Sequence, residues 1–227
     1  MLNLMKLELK KNKLGWYYRG AAIATVVAIL LMVSLEYLDG KSAFPDYGEA
    51  FSVAGVLVRA TFVIMASVLI AKMIIDEYNS KTISLLFTYP ISRKKIMFSK
   101  VLIVSGLTFI TIIISNVVVV LGYLAFNSFL HFKASMVPTN VLIEQGISIV
   151  LQAIAAAGFS LICLYFGMRK KSVPITIVSS IIVVILLTQS INGFSISSII
   201  AIPFSFAGIG IIIAYLSFRN IESKDIV

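Results

Sequence analysis

The chain has 227 residues, 59% of them hydrophobic and only 13% charged, where a soluble domain carries about 25% charge; a water-soluble globule is excluded. Nineteen Lys and Arg against ten Asp and Glu give a formal charge of +9, yet the basic residues stand beside apolar runs, so they read as membrane-face charges and no nucleic-acid partner is expected. A single Cys163 and a single His131 allow neither a disulfide framework nor a zinc cluster, so no metal site is expected.

Residues 1–14 place Leu2, Met5 and Leu9 on one helical face and Lys6, Lys10 and Lys13 largely on the other, the pattern of an interfacial helix on membrane lipid. Six apolar runs follow, at about 16–38, 51–75, 100–126, 144–168, 173–190 and 197–218, and each is expected to cross about 30 Å of hydrocarbon as a helix. Trp16, Tyr17 and Tyr18 open the first at headgroup level. Ser190-Ile191-Asn192-Gly193 breaks the uncharged stretch from Ser172 to Phe218 into a helical hairpin. Pro174 suits the first turn of span five, whereas Pro203 is expected either to kink span six or to mark a re-entrant segment. Unpaired backbone groups cost several kcal/mol in lipid, and no run alternates as barrel strands do, so every span is read as helical. The expected fold is an all-α polytopic membrane protein forming a single transmembrane domain.

Orientation follows from the basic residues. With the N-terminus inside, the inner segments hold Lys6, Lys10, Lys11, Lys13 and Arg19, then Lys72, Lys81, Arg93, Lys94, Lys95 and Lys100, then Arg169, Lys170 and Lys171, then Arg219 and Lys224. The outer loops keep Lys41 and Lys133, which predicts an N-in, C-in topology of six spans. Outer loop one also carries Glu36, Asp39, Asp46 and Glu49 beside Phe44 and Tyr47, either a solvated acidic loop or a surface for a cationic amphipathic substrate.

Within the spans, Arg59 lies about nine residues from the outer end of span two, roughly 13 Å deep. A charge at that depth is expensive. It reads either as a contact for an anion or peptide carboxylate, or a partner of Glu144, or as a side chain snorkelling to the outer headgroups. Thr108, Thr111 and Ser115 in span three and Gln145, Ser148 and Gln152 in span four form polar stripes that either line a substrate pathway or bond helix to helix. Small residues recur at packing intervals in Gly20, Ala24 and Ala28, in Ala153, Ala156 and Ser160, and in Gly210 and Ala214.

The longest inner connection, DEYNSKTISLLFTYPISRKKIMFSK from Asp76 to Lys100, is too apolar for a solvated linker. Glu77 and Lys81 make a favourable i,i+4 pair, Leu85, Leu86, Phe87 and Tyr89 stand outside the bilayer, Pro90 stops the helix, and Ser92 can cap the next one. An acidic pair after the second span, then Lys81-Thr82-Ile83, Leu85-Leu86, Pro90-Ile91-Ser92-Arg93 and Lys100, resembles the permease subunits of type 2 ATP-binding-cassette (ABC) transporters. One position departs, since the family often has Gly where Lys81 stands. The resemblance implies that this segment is a coupling helix seated in a cytoplasmic ABC ATPase subunit, with Glu77, Lys81, Thr82, Leu85, Leu86, Phe87, Tyr89 and Pro90 as the ATPase-coupling residues. It implies ATP and Mg in that partner, and a second permease protomer, the same or homologous, paired near spans one and five. Gly20, Ala24 and Ala28 are then the candidate protomer interface. Small size and short outer loops look most like Gram-positive exporters of amphipathic peptides, the phenol-soluble modulin and lantibiotic types, in the bacterial cell membrane.

No G-x-x-x-x-G-K-[ST] occurs, and Gly208 and Gly210 are not followed by Lys, so ATP hydrolysis is expected only in a separate subunit. No nucleophile, acid–base pair or catalytic residue is evident. Two alternatives stand beside an ABC exporter permease: an ATP-independent carrier or channel, which needs an intramembrane acid that the span centres lack, and a membrane sensor or anchor subunit.

Overall fold

Apolar runs of this length satisfy their backbone hydrogen bonds internally, and they fold accordingly. The computed structural model describes residues 2–12, 14–38, 44, 46–79, 93–130, 138–188, 190–191, 194–195, 205, 208–210 and 212–213. Helix α1 is Leu2–Lys11 and α2 is Gly15–Leu38. Helix α3 is Tyr47–Ile70; it continues through a π turn at Ala71–Ile75 into α4, Asp76–Asn79. Helices α5, Arg93–Leu130, α6, Thr139–Lys170, and α7, Val173–Thr188, complete the long elements.

Four helical stretches among the described residues are long and apolar enough to cross a membrane: Gly15–Leu38, Tyr47–Ile75, Lys95–Phe129 and Thr139–Lys170. The chain is thus a multi-pass membrane protein. Helix α7 is apolar but shorter, and the expected sixth span, with Pro203, lies mostly outside the described residues, of which 205, 208–210 and 212–213 are helical. Spans two, three and four begin earlier than their charge-free cores, because helix continues through flanking polar residues.

Helix α6 ends where Lys171 adopts a left-handed conformation at φ 48°. Ser172 O then accepts both the Thr176 N–H at 3.2 Å and the Thr176 hydroxyl at 3.0 Å, and Pro174 sits in the first turn of α7. After α7 the expected break is a short antiparallel pair, β1 (Ser190–Ile191) with β2 (Phe194–Ser195), in which Ser190 opposes Ser195 and Ile191 opposes Phe194. That ladder brackets Asn192-Gly193, the dipeptide most suited to a two-residue hairpin.

The chain forms two compact units. One comprises Met1–Leu14, Val63–Phe109 and Ile154–Val227, the other Gly15–Phe62 and Ile110–Ala153. In the second unit α2 buries Tyr17, Ala21, Thr25, Ala28, Met32 and Glu36, a stripe at intervals of three and four residues. Its polar members bond across to α5, Tyr17 Oη with Thr111 Oγ1 at 3.0 Å and Thr25 Oγ1 donating to Ser115 Oγ at 2.9 Å. Glu36, expected in an outer loop, is instead helical and 0% exposed, because Tyr123 of α5 donates its hydroxyl to Glu36 Oε2 at 2.5 Å. In the first unit Leu69, Ile70, Ile74, Ile75, Val104 and Leu164 are buried, and Ser67 Oγ donates to Ser180 Oγ at 2.9 Å. Gly210 packs so closely on the Gly158 carbonyl of α6 that a side-chain carbon at position 210 would overlap it.

Candidate functional site

A lysine that opens an apolar helix must find partners or leave an uncompensated buried charge. Lys100 of α5 is 1% exposed and has them. Its ammonium donates to Met73 O at 2.9 Å and to Glu77 Oε2, and lies 3.8 Å from Glu8 Oε1. Met73 belongs to the π turn, in which the Asp76 N–H reaches back to Ala71 O; this widened turn departs from the regular ladder where the lysine binds. Glu77 also accepts from Lys11 Nζ at 3.1 Å. Asn12 of the first unit holds Glu8 from behind, its Nδ2 donating to Glu8 O at 3.2 Å and to Glu8 Oε2 at 3.4 Å.

Among the described residues, two lysines and two glutamates of this cluster cancel in formal charge. They tie α1, the end of the α3–α4 helix and the start of α5 together. Since Glu77 precedes and Lys100 follows residues 80–92, their ion pair closes that connection at its base. Of the expected coupling residues, Glu77 stands in this cluster, whereas Lys81, Thr82, Leu85, Leu86, Phe87, Tyr89 and Pro90 lie outside the described residues.

Helix α1 carries an anchor that its amphipathic pattern does not show. Glu8 is buried and Met5 and Asn12 are half-buried on the same side, while Leu7 and Leu9 are exposed with Lys6 and Lys10. The helix is thus fixed to the first unit by a carboxylate and not by leucines alone. The helical-face reading counted apolar residues and passed over Glu8, whose partner lies 92 positions away; a Lys directly preceding a long apolar run was the available signal.

The expected pathway residues separate into two kinds. Thr108 donates to Val104 O at 2.7 Å along its own helix, and Thr111 and Ser115 bond α5 to α2, so these three join helices or cap their own turns. Arg59 and Gln152 are half-buried around Gly55. The Arg59 Nε donates to Gly55 O at 3.1 Å, and Gln152 Nε2 donates to Ser148 Oγ at 2.8 Å. The expected alternative of an Arg59–Glu144 pair is not found among the described residues; Glu144 is exposed on α6, and the arginine folds back along α3. Asn116, which follows Ser115 on α5, is 1% exposed and faces the same glycine. Of the expected protomer interface, Ala28 is buried within the chain, and Gly20 and Ala24 are half-buried.

Residues 4–186 match a family described as ABC-2 family transporter protein. An uncharacterized protein, YcbO, of Bacillus subtilis (strain 168) is 43% identical over 227 residues, covering 99% of this chain and 100% of that protein. No solved structure matches the chain.

Proposed function

The chain belongs to the ABC-2 family of transporter proteins, and from that premise we propose that it is the permease subunit of an ABC exporter driven by a separate cytoplasmic ATPase. The observation that carries the reading is the neutral ion cluster at the base of the second connection. The apolar residues Leu85, Leu86, Phe87 and Tyr89 fall in the sequence between Glu77 and Lys100, whose side chains form an ion pair in which the lysine is buried. A load applied to that segment is then delivered to the ends of spans two and three together, and through Glu8 and Lys11 to α1. Distribution of basic residues supports an N-in, C-in arrangement, with the segment facing the cytoplasm of a bacterial cell.

The ATPase binds ATP and Mg; this chain supplies the docking segment and the path. A differential affinity of the ATPase for two arrangements of the connection is all the coupling requires. A second permease protomer, the same or homologous, pairs near spans one and five, where Gly20 and Ala24 allow close approach. The substrate is an amphipathic peptide or lipid-like molecule.

Co-purification with a nucleotide-binding protein tests the docking role. Replacing Leu85, Leu86 and Phe87 together by Ser is expected to release that partner while the chain stays folded in the membrane. Association that survives the triple change overturns the assignment.

A second reading, an ATP-independent carrier, is favoured by one observation, the buried Glu36 carboxylate held by Tyr123. It predicts substrate movement by the chain alone in vesicles, lost in Glu36→Gln. The permease reading predicts none without the ATPase.

A further inference from the structure

Gly55 of α3 is the meeting point of three polar side chains from three helices. Arg59, one turn along α3, donates its Nε to Gly55 O, and among the described residues its guanidinium has no carboxylate partner. From α5, Asn116 donates its Nδ2 to Ile112 O at 3.1 Å, which turns its Oδ1 away from that helix's ladder. That oxygen is buried and accepts no hydrogen bond among the described residues. From α6, Gln152 commits its Nε2 to Ser148 and leaves Oε1 toward Gly55. A side-chain carbon at position 55 would stand 3.2 Å from Gln152 Oε1 and 3.9 Å from Asn116 Oδ1. The missing side chain therefore lets both amide oxygens approach α3 closely, one turn from Arg59.

All three residues lie well inside apolar spans: Arg59 in Tyr47–Ile75, Asn116 in Lys95–Phe129 and Gln152 in Thr139–Lys170. A cation and an orphaned amide oxygen there cost several kcal/mol unless something satisfies them. The donors and acceptors left over are complementary in kind: guanidinium N–H groups seek an anionic oxygen, and amide oxygens seek a donor. We infer that Arg59, Asn116 and Gln152 form a binding site for an anionic group, carboxylate or phosphate, that carries an N–H or O–H donor beside it on an apolar body. The polar end of the molecule sits at Gly55, its charge on Arg59 and its donor on Asn116 Oδ1, and its apolar part lies among the spans. This deepens the permease reading by naming the chemistry of the cargo, and it rests on that reading only for the word cargo.

The test uses the purified full-length chain in phosphatidylcholine nanodiscs, titrated below micellar concentration with four probes. N-lauroylglycine carries a carboxylate beside an amide N–H; N-lauroylsarcosine is the same molecule with that N–H methylated. Dodecylphosphoglycerol offers a phosphate beside hydroxyls, and dodecyltrimethylammonium is the cationic control. Saturable binding of N-lauroylglycine, about tenfold tighter than of N-lauroylsarcosine, is the expected result. The Asn116→Ala variant should lose that preference, and Arg59→Gln should weaken both carboxylates by about tenfold or more. Tighter binding of dodecylphosphoglycerol assigns the site to a lipid headgroup, and the reverse order assigns it to a peptide-like carboxylate; both orders support an anion site.

Equal affinity for the cationic probe overturns the inference, as does an unchanged anion affinity in Arg59→Gln. Should that variant not fold, the ranking of the four probes on the unaltered chain decides alone. Binding of this kind without nucleotide-driven transport leaves the site standing and removes the permease reading. ATP-driven transport with no anion preference does the opposite.

Discussion

The two units treat charge in opposite ways. In the first, Lys100, Glu77, Glu8 and Lys11 meet in one neutral cluster, and the most buried of them, Lys100, also has a backbone carbonyl. In the second, Arg59 has its own helix's carbonyl and no acid among the described residues, and the Asn116 oxygen that faces the same glycine accepts no hydrogen bond among them. A closed set of charges holds helices in place; an open set is poised to accept something else. The contrast separates a structural joint from the proposed recognition site without appeal to the identity of the cargo.

The largest expected effect breaks the joint. Lys100→Met leaves two glutamates facing one another, with Lys11 on only one of them, and should cost about 3 kcal/mol or more of stability, read by denaturation in detergent micelles. Adding Glu77→Met to that variant should recover most of the loss. A loss for Lys100→Met no larger than that of Arg59→Gln, expected below about 1 kcal/mol, would erase the distinction between the units. Next in size is Gly210→Ala, about 2 kcal/mol, since the added carbon meets the Gly158 backbone carbonyl, which cannot swing aside. Gly122→Ala should be milder, about 1 kcal/mol, because the carbon meets a side chain that can turn, Ile29, at 2.7 Å from Cδ1 and 3.2 Å from Cγ1. Thermal midpoints of the two variants compare them directly.

Thr25→Val removes one hydrogen bond between α2 and α5 and should cost about 0.6 kcal/mol. Asn116→Ala should be close to neutral, since the bond it forfeits to Ile112 O is offset by removal of a buried orphan oxygen. A substantial destabilisation in Asn116→Ala would recast this residue as a structural strut and shift the recognition site onto Arg59 and Gln152.

Four of the six expected spans were legible as long helices because charge-free runs of some twenty residues leave the backbone one economical solution in lipid. Helix ends were legible where a cap marked them, since α5 starts at Arg93, directly after the expected cap Ser92; they were less so elsewhere, as α6 starts at Thr139, several residues before its expected span, because polar flanks outside the hydrocarbon continue a helix readily. Glu36 misled because an acid at the edge of an apolar run looks like loop, and its partner Tyr123 is 87 residues away. The same remoteness hid Glu8. Arg59 stood out from the sequence as a lone charge in a span, but that it shares Gly55 with Asn116 and Gln152 depends on the relative rotation of three helices, which no single run encodes.

The π turn at Ala71–Ile75 fits one surplus residue into a continuous helix, and an α-helical residue spans about 100° of rotation. Everything beyond it is therefore phased differently from the membrane portion: Glu77 points at Lys100 only because that extra residue is there. Deleting any one of the five would let the helix relax to regular winding and swing the carboxylate about a quarter-turn or more out of line, so the gear teeth at the base of the connection would no longer mesh even with every charge still present.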